Sequence, residues 1–527
     1  MLKVKTHTIS EIESAVGAGC SGVSHKTVIS DILIDSRKIS ATDGVLFIAI
    51  KGSRHNGADY ISELYEKGIR NFLVQQMPKD RFLFDQANFL IVENALAALQ
   101  ALARFHRSLF DIPVIGITGS NGKTIVKEWL FQILQHTRKV TRSPKSYNSQ
   151  VGVPISVLQM DEMHEIAILE SGISQPDEMQ LLEPMIRPTV GIFTNIGQAH
   201  GRYFESDQQK IREKLQLFKS SDRLIYCLDH MAVHKEIQSS GIALKKRFTW
   251  SAYFPADLQI LKIESADSKT AIKALFKGVE MEIEIPFTDK ASLENAVHCW
   301  ASLLFLGLEQ KEIKRGMKLL VPVAMRLEMK SGVNNCLLIS DVYSSDLESF
   351  KIALDFVNQQ QQSEKTTVIL SDMLDSTLSD KDLYDEVATL LVKYEVDRLI
   401  GVGAKINEFA SEFKLPCLFY EDTAKLISAI ESLTFENETI LLKGARKFTF
   451  EDIGQLLSQK AHTTTLEVNL NALIHNFQYF KSLLKPEVKV MVMVKAFSYG
   501  TGSAEIASVL QFHRVDYLGV AYVDEGV

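Results

Sequence analysis

The stretch that most limits what this chain can fold into is IPVIGITGSNGKTIVKEWLFQIL, residues 112–134. Its first part is β-branched and apolar, its middle is Gly-rich, and its last part is amphipathic, which is the order of a strand feeding a tight turn into a helix. Such a turn presents backbone N–H groups and a helix N-terminus to an anion, while Lys123 neutralises phosphate oxygens and Thr124 ligates Mg2+. An ordinary glycine turn is the competing reading. The strict G-x-x-x-x-G-K-[ST] spacing is missed, because Ile117 stands where the first Gly belongs, but strand, loop, Lys-Thr pair and helix agree. The unit belongs in a parallel sheet covered by helices, so the fold class is α/β.

The rest of the chain extends that pattern. PVIGITG, EIAILESG, TVGIFTNIG and RLIYCLD are short and almost continuously apolar, as strands buried on both faces must be. A second set, CLLISDVY, TTVILSDM, DRLIGVG and ETILLKGA, alternates with helices such as SFKIALDFVNQ and predicts another α/β domain. With 527 residues, one core does not suffice, and domains are expected at 1–107, 108–321, 322–461 and 462–527. The Ala-rich helix NALAALQALARFHRSL hands the first to the second, and the polar AHTTT marks the last junction. The net charge of -7 gives no overall attraction to nucleic acid or to an anionic membrane. Five scattered cysteines fit reduced thiols, and the N-terminus lacks an apolar leader, so a cytoplasmic protein without membrane insertion is expected.

The variant loop GITGSNGKT resembles the ATP loop of the Mur ligases, and three further segments carry the likeness across residues 1–461. DSRKISATDGVLFIAIKG resembles the family's N-terminal motif for the UDP-sugar end of the substrate. SYNSQVGVPISVLQ resembles its N-N-x-x-G-x-P segment, with Ser149 for the second Asn, and ILLKGARKF its K-G-S-R element, with Ala445 for Ser. In this order the motifs fit best the ligase that adds D-alanyl-D-alanine to a UDP-N-acetylmuramoyl-tripeptide. The resemblance implies three domains: an N-terminal UDP-binding α/β domain, a central P-loop ATPase domain with a parallel sheet, and a C-terminal Rossmann-like domain. It also implies ATP and Mg2+, and an acyl-phosphate route to the new amide.

By the same resemblance, Gly119, Ser120, Asn121, Gly122, Lys123 and Thr124 hold ATP phosphates, Asn295 meets adenine, and Arg326 and Asp341 contact phosphate and ribose. Met325 stands where Gly is common before that arginine. Ser36, Arg37, Asn148, Lys443 and Arg446 are implied in substrate binding. Glu170 and His200 close strands at the carboxyl edge of the sheet, where α/β folds bind ligands, and with Thr124 suit a metal. A helix cap or solvated carboxylate is the alternative for Glu170, and a hydrogen-bonded loop histidine for His200. In SDQQKIREKLQLF, Lys214 lies beside the apolar stripe Ile211, Leu215 and Phe218. There it either snorkels to solvent or is held in the site, and the family's carbamylated lysine in this helix implies the second, with the carbamate as a metal ligand.

The last segment changes pattern. TLEVNLNALIHNFQYFKSLL, VKVMVMVKAFSYGTG, AEIASVLQFH and DYLGVAYVDEGV read as strand, helix, strand, helix, strand, the opening of a β/α barrel. It resembles the N-terminus of alanine racemase, which implies that Lys495 is the Schiff-base lysine for pyridoxal phosphate and Tyr499 a residue of that cofactor's site. A surface lysine after a core strand is the alternative. Residues 462–527 cannot close a barrel of about 250 residues, so the expectation is a ligase followed by a truncated racemase start. Pyridoxal phosphate would then serve only in a complete fusion, which could dimerise through the racemase part. Rival readings are another Mur ligase, a folylpolyglutamate-type synthase, or a non-catalytic nucleotide-binding scaffold for the racemase. The DSRK segment speaks against the folate reading, and Lys123, Thr124, Glu170 and His200 against the scaffold.

Overall fold

A computed structural model describes residues 5–526 except 22–23, 37–38, 40–41, 53–55, 198–202, 267–268, 324–327, 343–344, 361–362, 364, 375, 377, 460–468, 486, 501–502 and 514. Two compact units result: residues 1–111, 158–164 and 462–527 form one, and residues 112–157 and 165–461 the other.

In the first unit, five strands line up in the order Gly19–Ser21, Asn88–Ile91, Asn71–Val74, Val45–Ile48, Asp31–Leu33. The outermost pair is antiparallel and the rest are parallel. Phe47, Phe72, Phe84 and Phe89 fill the core on one face, with Phe72 stacked on Phe89 at 5.3 Å. The Ala-rich segment is the helix Ala95–Ser108, begun by Asn94, whose side chain accepts from the N–H groups of Leu96 and Ala97. Ser36 lies half-buried just past the strand Asp31–Leu33.

The second unit contains two sheets. In the first, β1 (Val114–Thr118), β2 (Val140–Arg142), β3 (Ile166–Glu170), β4 (Val190–Phe193), β5 (Arg223–Cys227), β6 (Arg247–Ser251), β7 (Leu258–Ala266), β8 (Lys269–Phe276) and β9 (Val279–Ile285) follow the chain. They are ordered β9-β8-β7-β6-β5-β4-β1-β3-β2. Strands β1 to β7 run parallel to their neighbours within that set, and β7, β8 and β9 form antiparallel hairpins. The order reverses at β1, with β3 on one side and β4 on the other, which opens a crevice beyond their carboxyl ends.

Helix α1 (Lys123–Leu134) and helix α3 (Lys290–Phe305) cover this sheet, burying Trp129, Leu130, Ala296 and Trp300 against β1, β4 and β5. Between them in sequence, α2 (Asp207–Leu215) starts at Ser206, whose hydroxyl accepts from Gln209 N–H, and runs into a turn over Gln216–Phe218. Phe218 lies over Gly191 of β4, where any Cβ would collide with the ring.

The other sheet has the order β10-β11-β15-β12-β13-β14, from β10 (Glu328–Ser331), β11 (Leu337–Asp341), β12 (Lys365–Ser371), β13 (Arg398–Val402), β14 (Cys417–Tyr420) and β15 (Glu438–Lys443). All but β10 are parallel. Alternate residues feed two cores: Val368 and Leu370 pack on one face, Ile369 on the other. Burial on both faces is why these strands read as continuous apolar runs.

The C-terminal segment, within the first unit, has a helix Leu470–Ser482, a strand Met491–Met493, a helix Ser503–Phe512 and a strand Tyr517–Gly519 parallel to the first strand. Phe477, Val494, Ile506, Leu510 and Val515 form its small core. The strand expected in TLEVNL falls largely outside the described residues.

Candidate active site

The predicted phosphate loop follows β1 at the crevice where the sheet order reverses. Gly119 and Gly122 take φ of +150 and +82, a backbone that L side chains rarely adopt, and a Cβ on Gly122 would run into Asn295 Oδ1. Asn295 is buried in α3, so the structure brings this predicted adenine contact against the loop. Lys123 opens α1 and folds back, its Nζ donating to the carbonyls of Gly119 and Ser120 at 2.9 Å each.

Lys214 does not snorkel. It is 3% exposed, and its Nζ donates to Gly119 O at 3.0 Å. Ile211, Leu215 and Phe218 are buried beside it, as the helical spacing predicts. Burial, followed by the neighbouring charges of Lys123 and Lys210, holds its amine well below the ordinary lysine range, against a smaller opposing pull from Glu213. With Gly119, Lys123, Asn148, Gly172 and Glu178 it lines a cavity of about 310 Å3. A larger recess of about 630 Å3 lies by Lys365, Arg398 and Glu438 at the amino ends of the second sheet's strands, away from the carboxyl edges.

Glu170, at the end of β3, is fully buried. Its Oε1 accepts from Asn148 Nδ2 at 2.7 Å, while Oε2 has no hydrogen-bond donor and only Lys127 Nζ at 3.5 Å. A helix cap or solvated carboxylate does not behave this way. Thr124 Oγ1 lies 3.3 Å from Ser146 Oγ. A buried carboxylate oxygen without a donor, in the same crevice as a threonine hydroxyl, fits a hard divalent cation such as Mg2+. His200 lies outside the described residues.

In the second sheet, Asp341 and Lys443 end adjacent strands and pair with each other, Nζ to Oδ2 at 2.5 Å, with 5% and 0% exposure. The two residues predicted for ribose and substrate thus occupy one buried ion pair. Arg446 is exposed in the turn Arg446–Phe448. Arg37 and Arg326 lie outside the described residues, as does the side chain of Tyr499. Lys495 is half-buried two residues after the strand Met491–Met493, at its carboxyl end as expected.

Several residues that shape the loop carry no motif. Asn195, just past β4, accepts from Ser120 N–H through its carbonyl at 2.9 Å and from Asn121 N–H through Oδ1 at 2.9 Å. Thr194 Oγ1 donates to Asn121 O at 2.6 Å. His298, fully buried in α3, donates from Nε2 to Thr194 O at 3.0 Å and accepts from Trp250 Nε1 at 3.1 Å. Lys127, fully buried in α1, donates to Ser143 O at 2.8 Å beneath Glu170. One signal was available for Lys127: its position on α1 is the core-facing one, where a lysine needs a buried partner.

Comparison with known proteins bears on these features. Three family models match in order: "Mur ligase family, catalytic domain" over residues 28–107, "Mur ligase middle domain" over 117–303 and "Mur ligase, glutamate ligase domain" over 325–446. "Alanine racemase, N-terminal domain" matches residues 468–527. The UDP-N-acetylmuramoyl-tripeptide–D-alanyl-D-alanine ligase of Bacillus subtilis is 27% identical over 441 residues, covering 81% of this chain and 93% of its own length. The Escherichia coli ligase of the same name is 23% identical, covering 86% and 98%. A crystal structure of MurF from Acinetobacter baumannii superposes with a TM-score of 0.75 at 21% identity, covering 86% of this chain and 99% of that one. MurF from Thermotoga maritima in complex with ADP gives 0.66 at 20% identity, covering 81% and 96%. Among the described residues, no helix is long and apolar enough to cross a membrane. Through residues 28–446 the chain has the three-domain α/β fold of the Mur ligases, and it is an ATP-dependent amide-bond ligase.

Proposed function

We infer that this chain joins D-alanyl-D-alanine to a UDP-N-acetylmuramoyl-tripeptide at the expense of ATP, the reaction named for its curated relatives. The observation that carries the reading is the cavity at the sheet's reversal point, where Lys123, Lys214 and the Gly119–Gly122 loop meet within reach of one recess. In the first step a carboxylate oxygen of the tripeptide attacks the γ-phosphorus of ATP, the bond to ADP breaks, and an acyl phosphate forms. In the second, the amine of the dipeptide attacks the acyl carbon, phosphate leaves, and the nitrogen loses a proton.

The loop's N–H groups and Lys123 orient the triphosphate, and Lys123 offsets charge on the transferring group once it turns from its own loop carbonyls to the ligand. Asn295 sets the adenine end. Thr124 and Glu170 would hold Mg2+, with His200 as a third candidate, and the metal when bound would supply further neutralisation of phosphate charge. By the family resemblance, Asp341 would contact the ribose and Arg326 the phosphates, while Ser36, Arg37, Asn148, Lys443 and Arg446 would take part in substrate binding.

Lys214 has the setting of a carbamate precursor. Its amine, tipped toward the neutral form by burial and by Lys123 and Lys210, attacks CO2, forming an N–C bond and releasing a proton. That puts an anion among cations, and would add oxygens for a metal.

The segment from residue 468 is read as the start of an alanine racemase, with Lys495 and Tyr499 belonging to a pyridoxal phosphate site in a complete barrel. Here the fit is to attachment alone. Lys495 stands at a strand's carboxyl end, and among the described residues that strand pairs with one other, Tyr517–Gly519. The test of the ligase reading is phosphate release from ATP and Mg2+, measured with both peptide substrates and with either one omitted. Release that ignores the omission sinks the reading, and turnover with glutamate acceptors instead favours a folylpolyglutamate-type synthase.

A further inference from the structure

The loop that receives phosphate is not self-supporting. Two of its N–H groups, on Ser120 and Asn121, are taken by Asn195, one by its carbonyl and one by its side-chain Oδ1. The other end of that side chain, Nδ2, donates to Glu294 Oε1 at 3.4 Å, and the same oxygen meets His230 Nε2 at 2.9 Å. Burial pushes Glu294 up, but the His230 hydrogen bond and charge outweigh it and hold the carboxyl below the usual range. His230 is raised by the same pair, against the cost of its own burial. Asp229, beside His230, is occupied elsewhere, accepting from Ser251 Oγ and, at 2.9 Å, from Ala252 N–H.

A carboxamide has two orientations, and here only one works. Flipped, Asn195 would face the Asn121 N–H with its own NH2, donor against donor, and the Glu294 carboxylate with its oxygen, acceptor against acceptor. An anionic Glu294 therefore fixes which end of Asn195 faces the loop.

We propose that Asn195, oriented by the Glu294–His230 pair, is a positioning residue that preforms the phosphate loop, so that a pair touching no phosphate governs the affinity for nucleotide. This rests on reading the loop as the ATP site. If it is right, the ligand meets a loop whose shape is already set, and the ordering cost at binding is reduced.

The test is an exchange of donor and acceptor. In Asn195→Asp, two carboxylates face each other, and the Kd and KM for ATP rise about tenfold or more, with the KM for the tripeptide nucleotide unchanged. In Glu294→Gln the rise is smaller, because glutamine presents either end. When both substitutions are combined, the new amide at position 294 donates to the new carboxylate at position 195, which still accepts from Asn121 N–H, and ATP affinity returns toward that of the parent. A purely structural role would instead lower the melting temperature with ATP affinity intact, or give losses that add in the double variant; either result overturns the proposal. Should Asn195→Asp fail to fold, Glu294→Ala and His230→Gln are read for the same rise in ATP Kd, and parent-like binding in both overturns it. Failure of the parent chain to bind ATP at all would sink the ligase reading, whereas parent binding with unaffected variants sinks only this inference.

Discussion

Lys214 and Lys443 are both withdrawn from water, at 3% and 0% exposure, yet their surroundings differ in kind. Lys443 ends a strand of the second sheet with the Asp341 carboxylate 2.5 Å away. Lys214 has a carbonyl for its hydrogen bond and two other lysines, Lys123 and Lys210, as charged neighbours. A carboxylate partner satisfies a buried lysine, whereas burial among like charges drives the amine toward its neutral, nucleophilic form. The comparison separates a lysine that holds structure from one prepared for chemistry.

The largest effect should come from breaking the pair. Lys443→Met leaves Asp341 buried without its cation and should cost about 3–5 kcal/mol in urea unfolding, with much of it recovered when Asp341→Asn is added. Lys214→Ala should do the reverse. Turnover falls about 10²–10³-fold, partly restored by short carboxylic acids with Mg2+ standing in for a carbamate, while urea stability stays level or rises because an amine desolvated among other lysines is gone. Loss of stability without loss of turnover would erase the contrast.

His298 shows a third solution, staying neutral. Burial is the main cause that lowers it to about 4. Between that value and its ordinary 6.5 the unfolded chain binds a proton that the folded one refuses, so stability is full above pH 6.5 and falls as pH drops toward 4. The loss attributable to this group is about 3 kcal/mol, and His298→Asn should flatten that part of the pH–stability curve. The smallest effect belongs to Lys67, whose pair with Glu63 lies half-exposed on a helix surface. Lys67→Ala should change stability by less than about 0.5 kcal/mol. A larger loss would mean that exposure does not separate these pairs.

What could be read from the sequence was local. The phosphate loop is contiguous, its strands are unbroken apolar runs, and Lys214 stands out against its own helical stripe. The Asp341–Lys443 pair was not legible, because 102 residues separate partners that only the strand order β11-β15 brings side by side. Asn195, Glu294 and His230 each look like ordinary polar residues near an element's end, and they form one support only after β4, β5 and α3 pack together. The hairpins β7, β8 and β9 also went unremarked, since their mostly one-sided burial gives alternation instead of a continuous run. Lys495 was read at the carboxyl end of a strand, where it lies, without anything in the sequence to say what faces it.

Gly191 touches nothing that reacts, yet it sets how closely the end of α2 approaches the sheet. Phe218 rests directly on its bare backbone, and Lys214 is one helical turn earlier on the same segment. A methyl at position 191 would act as a shim under that segment, tilting it and withdrawing the amine from Gly119 O without altering any group of the site. The reach of the lysine is thus encoded in an atom the chain does not have, and substitutions at a strand interior can tune the reaction as surely as changes in the cavity.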